Sequence, residues 1–391
     1  MRVIVIGAGV IGAAVACELA SRGAEVVIVD MRQPGAGATQ ASAGVLAPFI
    51  EGHSPALLRL GAASLSMYDA FVERLRDDAA GAETPFEYRR TGTLEVALDD
   101  AQAQRLEEMS ARYRATAVEH QCLDSAVARV LEPGLPASTR SALLVPSQGH
   151  VAARDLTAAL IAAARRRGAT VASGVTVVRV APTGEGRRDA PAGRQGGLDE
   201  RDGPGGAEGL DVFTTTGTVT GDAVVLAAGA WSGQVAIEPA PRAPVTPIRG
   251  QLLQLACAEA PASRVLWGEQ CYLVPWLDGT VLAGATVEDV GFDERATVAA
   301  VRHLLESACA LLPSLCTAQL GTVRVGLRPA TRDELPIVGR ASGLPNVVYA
   351  TGHYRNGVLL APLTAALVAG LVFDGREAPE LALTRPDRFG L

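Results

Sequence analysis

The pattern of apolar positions is sharpest at the start of the chain. Val3-Ile4-Val5-Ile6 is a β-branched run with the length of a buried parallel strand. Ile11, Val15 and Leu19 then recur at i, i+4 and i+8, one face of a helix that Gly23 ends as a C′ residue. Val26–Val29 forms a second strand closing on Asp30. Further on, helices are predicted over 55–83 (Leu57, Leu58, Leu60, Leu65, Tyr68, Phe71, Leu75), 99–115, 153–167 and 297–312, with a final apolar helix reaching about Phe373. Strand patterns cover 88–98, with Gly92 near the middle, 141–151, 171–180 and 219–229. From Pro244 to Thr286 the chain alternates in QLLQLA, QCYLVPW and TVLAGAT, which predicts an antiparallel sheet. There is no internal repeat.

The strand–glycine–helix–strand opening carries chemistry. Gly7, Gly9 and Gly12 stand at G-x-G-x-x-G spacing, for the tight turn, the close approach of backbone to a pyrophosphate and helix–strand packing. Asp30 lies where a carboxylate accepts hydrogen bonds from a ribose. The loop after it, from Gly35 to Gly44, is rich in small residues that can lie flush against a flat ligand.

Composition narrows the class. The chain has 391 residues, 48% hydrophobic and 20% charged, enough for two domains or one with a large insertion. All its basic side chains apart from histidine are arginine, and the net charge of −7 argues against a nucleic-acid or anionic-membrane partner. The strand at residue 2 leaves no room for a signal peptide, and its glycines break any membrane span. Six cysteines without C-x-x-C spacing read as reduced thiols of a cytoplasmic protein, and the five histidines form no metal array. Pro182–Gly209, crowded with Gly, Pro, Arg and Asp, reads as a flexible insertion in a hairpin.

Several blocks fall in an order that resembles the D-amino-acid oxidase superfamily: GAGVIGAAVACELASRG, VVIVD, ASAGVLAP, GQLLQL, YLVPWLDGTVLAGAT, GLRPATRDELPIVG and ATGHYRNGVLLAP. They are most similar to the FAD-dependent glycine oxidases of thiamine biosynthesis, end to end except for 182–209. The resemblance implies an α/β fold, with a Rossmann-like FAD-binding domain (1–85, 147–235, 320–391) and an inserted α+β antiparallel-sheet substrate domain (86–146, 236–319). It implies FAD as cofactor, a small amino acid and O2 as partners, and a homo-oligomer, often a tetramer. Val10 and Ile11 would lie under the pyrophosphate, and Asp30 with Met31 at the adenosine. Ala38, Thr39, Ala43, Gly44 and Val45 would line the flavin side, and Val177 the adenine end. The turn His353, Tyr354, Arg355, Asn356, Gly357, Val358 and Leu359 would wrap the isoalloxazine.

The same resemblance supplies substrate residues. Arg328 suits a carboxylate because its fork binds two oxygens at once, with the Tyr272 hydroxyl as second donor. The alternatives are an ion pair of Arg328 to Asp333 or Glu334, and plain packing for Tyr272. Arg355 would offset the charge of reduced flavin, Glu51 would stand at the pocket entrance, and Gln270 would replace a histidine that glycine oxidases can carry. Val287 marks another point where the pocket can differ. With no cysteine or histidine in 35–48 or 326–329, the flavin is expected to be non-covalent. The reaction implied is oxidative deamination of glycine, sarcosine or D-alanine by hydride transfer to flavin, giving an oxo acid, ammonia and H2O2. The alternatives are a D-amino-acid dehydrogenase using a quinone or electron carrier, and a flavin subunit of a larger amine-oxidising complex.

Overall fold

The structure, a computed structural model, describes residues 1–50, 54–78, 86–184 and 209–391. Its centre is a six-stranded sheet in the order Ile337–Ala341, Leu344–Thr351, Ala223–Leu226, Arg2–Ile6, Glu25–Asp30, Thr170–Ser173. All neighbours are parallel except the first pair, a hairpin. Alternation in each strand splits the core in two. Val3, Val5, Val26 and Ile28 face the helices, while Ile4, Ile6, Val27 and Val29 face a four-stranded sheet built around Val177–Pro182.

The helices α1 (Val10–Ser21), α2 (Pro55–Asp78), α3 (Asp100–Ala115), α5 (Ala153–Arg166), α6 (Val298–Leu311) and α7 (Gly357–Ala369) follow the predicted pattern, and the short α4 (Ser125–Leu131) is one it did not include. Gly23 takes φ +86° just past α1, as a C′ glycine should. Helix α7 is long and apolar enough, with the turn that follows it to Asp374, to cross a bilayer, yet it is mostly buried between α1 and α2 as a core helix. Pro362 lies inside it, so the Val358 carbonyl has no N–H four residues on. The Tyr68 hydroxyl of α2 donates to that carbonyl at 2.5 Å, and Ser64 Oγ donates to the Leu359 carbonyl at 2.6 Å. Two hydroxyls from one helix thereby complete the ladder of another.

The second large element is an eight-stranded sheet, in the order Gln319–Ala330, Thr246–Ala256, Thr280–Gly284, Tyr272–Pro275, Val265–Trp267, Thr93–Ala97, Ser141–Val145, Gln121–Asp124. One face packs on α4 and α6; the other looks toward the six-stranded sheet. The strand Gln319–Ala330 is the edge of this sheet and pairs along its length with Thr246–Ala256, so the division drawn at 320 would cut it from the sheet it belongs to. The run 219–229 splits as well. Gly217–Gly221 joins the four-stranded sheet, and Ala223–Leu226 the six-stranded one. Gly92, at φ +83°, divides 88–98 in the same way, with Tyr88–Arg89 in a small three-stranded sheet. The inserted stretch interrupts an antiparallel pair, Val177–Pro182 with Leu210–Thr214. Residues 185–208, on which the flexible-insertion reading mostly falls, lie outside the described residues.

Candidate active site

A deep cleft opens where four parallel strands end, at Ile6, Val29, Ala227 and Ala350, and its far wall is the eight-stranded sheet. The carboxyl ends of an open α/β sheet are where such a fold binds ligands. Gly7, Gly9, Val10 and Ile11 line the cleft at the start of α1, together with Asp30 and Met31. Gly12 does not line it. A Cβ there would stand 1.9 Å from the Gly7 carbonyl oxygen, so this glycine serves packing behind the turn. Gly7 itself has φ +106°, with the Ala227 carbonyl where a Cβ would go. The Asp30 carboxylate accepts from Ala8 N–H at 2.6 Å and Arg32 N–H at 2.7 Å, which ties the glycine turn to the second strand. Burial raises its pKa, and these two donors pull against that.

The small-residue loop delivers Ala38, Thr39, Ala43, Gly44 and Val45 to the same cleft, and Thr39 Oγ1 accepts from Val10 N–H at 3.0 Å. Val177 stands at the opposite end, beside Asp30. The turn before α7 brings His353, Tyr354, Arg355, Asn356, Gly357, Val358 and Leu359. That turn is docked on the GLRP strand, since Tyr354 N–H donates to the Pro329 carbonyl at 2.8 Å. His353 is buried and bonded to Thr364 Oγ1 at 3.0 Å; burial holds its pKa down at about 3, so its ring is neutral. Arg355 is exposed on the cleft rim at the amino end of α7.

On the far wall, Arg328 and Tyr272 converge from strands that are not neighbours. Each tip lies over a glycine, on adjacent strands. A Cβ on Gly250 would lie 2.3 Å from the Arg328 guanidinium carbon, and one on Gly284 3.0 Å from the Tyr272 hydroxyl. Arg328 Nη1 donates to the Thr286 carbonyl at 2.8 Å and to the Arg249 carbonyl at 3.3 Å. Of the acids named as alternative partners, Asp333 pairs with Arg388 at 2.8 Å.

Beneath Arg328 lies a buried network. Arg249, 4% exposed, binds Glu288 at 2.6 Å and Asp293 at 3.0 Å. Glu288 also accepts from Gln251 at 2.8 Å and from Thr286 Oγ1 at 2.6 Å. These bonds outweigh its desolvation, so its pKa is lowered.

Two expected positions fall elsewhere. Gln270 is exposed and outside the cleft: a Gly268 N–H to Cys271 carbonyl bond of 2.8 Å closes a tight turn that puts it at the tip. Trp267, which sequence reasoning missed, forms the wall instead, tilted against Tyr272 with ring centroids 4.9 Å apart. Its signal was available, as the last residue of a strand facing CYLVP across a four-residue turn. Val287 is 54% exposed and does not line the cleft. Glu51 lies outside the described residues.

Comparison with known proteins fits this geometry. Residues 2–371 match the family described as DAO, FAD dependent oxidoreductase. The chain belongs to that family, and its cofactor is FAD. It is 34% identical over 385 residues to the bifunctional protein ThiO/ThiG of Nostoc sp., covering 97% of this chain and 54% of that protein. The chain thus spans about half the length of the first curated relatives it matches. It is 33% identical to the glycine oxidase of Pseudomonas aeruginosa, covering 96% of this chain and 95% of the relative. The crystal structure of the Geobacillus kaustophilus glycine oxidase superposes with a TM-score of 0.85, at 30% identity and 98% coverage of both chains.

The site's own chemistry agrees with FAD. Asn356 presents a buried Nδ2 with no protein acceptor at the amino end of α7, and the Gly7–Gly9 turn opens α1 toward the cleft. A helix amino terminus of this kind attracts the anionic groups of a dinucleotide.

Proposed function

We propose that this FAD enzyme oxidises glycine or another small amino acid or N-alkyl glycine at its CH–N bond. The observation that carries the reading is that Arg328 and Tyr272, seated over Gly250 and Gly284 of adjacent strands, both line the cleft whose other end is the dinucleotide turn. Two donors lining one cleft suit a carboxylate, and the guanidinium fork would set its plane. The carboxylate then fixes where the α-carbon lies, and Trp267 limits what can extend from it.

Bound FAD would supply the two-electron acceptor for the hydride, with oxygen as the final acceptor giving H2O2. The chain's part is binding, orientation and charge. Arg355 and the amino end of α7 place positive potential on the cofactor side of the cleft, which favours negative charge developing there. No side-chain base is required, because an unprotonated substrate amine pushes the hydride out by its own lone pair. The product imine hydrolyses to an oxo acid and ammonia.

We assign Gly7, Gly9, Val10 and Ile11 to the pyrophosphate, Asp30 and Met31 to the adenosine, and the 353–359 turn to the isoalloxazine. The flavin is dissociable. The six cysteines are free thiols, which suits a cytoplasmic setting. Anaerobic titration with glycine, sarcosine and D-alanine tests the reading: at least one should bleach the flavin, with oxygen uptake on re-aeration. A flavin that none of them reduces refutes it.

A further inference from the structure

The segment between the strand Thr280–Gly284 and helix α6 passes from the substrate-side sheet to the adenosine end of the cleft. Its root is fixed from beneath by Arg249, through Glu288 and Asp293, and Thr297 N–H donates to Gln251 Oε1 at 2.9 Å. Its tip carries two side chains outward. Glu294 binds Arg32 through both oxygens, at 2.9 and 2.6 Å. Phe292, 45% exposed, packs against Trp231 with ring centroids 5.8 Å apart. The Arg32 guanidinium lies 4.4 Å over the Trp231 ring, so the four side chains form one stack.

Arg32 and Trp231 line the cleft beside Asp30 and Val177; Phe292 and Glu294 do not. The stack is therefore built from an inner pair that faces the cofactor and an outer pair that reaches it from the other sheet. It lies at the surface, and each partner remains partly exposed. Both terminal nitrogens of Arg32 are engaged by Glu294, and its flat face is given to the indole. It acts there as a wall and not as an anion site.

We propose that Phe292 and Glu294 are the outer half of a clasp that retains the adenosine half of FAD by immobilising Arg32 and Trp231. FAD release then requires the strap tip to lift, which breaks the bidentate ion pair and the ring contact together. The two contacts are partly exposed, so each alone should be worth a modest factor.

The test measures FAD release from the purified holoenzyme on dilution, by the recovery of free-flavin fluorescence. Glu294→Gln should speed release about 5-fold and Phe292→Ser by a similar factor, with added salt accelerating the wild type but hardly the Glu294→Gln enzyme. As a second readout, unfolding temperature is followed with and without excess FAD. A clasp on the cofactor predicts that the variants fall below wild type without added FAD and recover when FAD is in excess. The proposal is overturned if release stays within twofold of wild type in both variants. It is equally overturned if both melt lower by the same amount at every FAD concentration, because the stack would then serve the fold alone. Neither outcome depends on which amino acid is oxidised.

Discussion

Tyr68→Phe removes one oxygen from the protein interior, and the structure says what that should cost. The hydroxyl is the donor to the Val358 carbonyl that Pro362 leaves unserved inside α7. Tyr68 is fully buried, so water cannot take its place. A buried carbonyl left without a donor costs about 1–3 kcal/mol. With an unfolding entropy of about 2.1 cal/mol/K per residue, a chain of this length loses about 1–4 °C of unfolding temperature.

The informative experiment is a cycle with Pro362→Ala, which returns an N–H to the same carbonyl. In that background Tyr68→Phe should be milder by about 1 kcal/mol, and the effect of the alanine on the unfolded chain cancels. Thermal unfolding of the four proteins in excess FAD measures it. If Tyr68→Phe costs the same with and without the proline, the hydroxyl is not standing in for the missing helix bond, and the account of α7 fails. The point bears on function because Val358 and Leu359 line the cofactor cleft, and Ser64 holds the second of their carbonyls.

Other outcomes follow from single side chains. Trp267→Ala should raise kcat/KM for bulkier D-amino acids relative to glycine by about 10-fold or more, as a wall contact of one or two methylenes implies; an unchanged ratio would show that Trp267 does not bound the substrate. Gly250→Ala puts a Cβ against the Arg328 guanidinium and should raise KM for glycine at least ~10-fold while FAD content is kept, on the rate penalty of a misplaced anchor; a wild-type KM counts against the glycine seat. Stability should also fall with acid. His150, held down at about 4, and His353, at about 3, stay neutral while the unfolded chain takes up protons below the ordinary value of 6.5. Each contributes a loss of about 1.4 kcal/mol per pH unit in that window. Glu95, pushed up to about 7 by burial, works in the opposite direction between 4.5 and 7, so the net slope there is that of one imidazole. His150→Phe keeps a ring edge-on to Trp276 and should flatten that slope, read from urea midpoints between pH 6.5 and 5; a slope left intact would mean His150 titrates normally.

Much of this fold was legible because its signals are local. The glycine turn, the face of α1 and Asp30 lie within thirty residues, and hydrophobic period alone separates strand from helix there. Gly23 marked its turn correctly, whereas Gly92, read inside one strand, divides two. What the chain hid was pairing at long range. The strand Gln319–Ala330 finds its partner some seventy residues earlier, and nothing in its own pattern names the sheet it joins. Gln270 was misplaced for another reason. It was placed in the pocket because it stands where glycine oxidases can carry a histidine, but a tight turn precedes Tyr272 and carries Gln270 to its tip. The bonds of Tyr68 to Val358 and Arg32 to Glu294 leave no trace in sequence, since hydroxyls and ion pairs carry no periodicity.

The central claim is that the Arg328 guanidinium grips the substrate carboxylate beside FAD. The most direct measurement compares the wild type with Arg328→Ala in anaerobic flavin reduction, using glycine and an amine of similar size without a carboxylate. One charge-assisted, bidentate contact is worth ~2–4 kcal/mol when its partner is desolvated. The account predicts that the glycine dissociation constant rises about 30- to 1000-fold, that FAD content stays near wild type, and that the carboxylate-free amine reacts equally with both enzymes. Glycine bound as tightly by Arg328→Ala as by the wild type would contradict it.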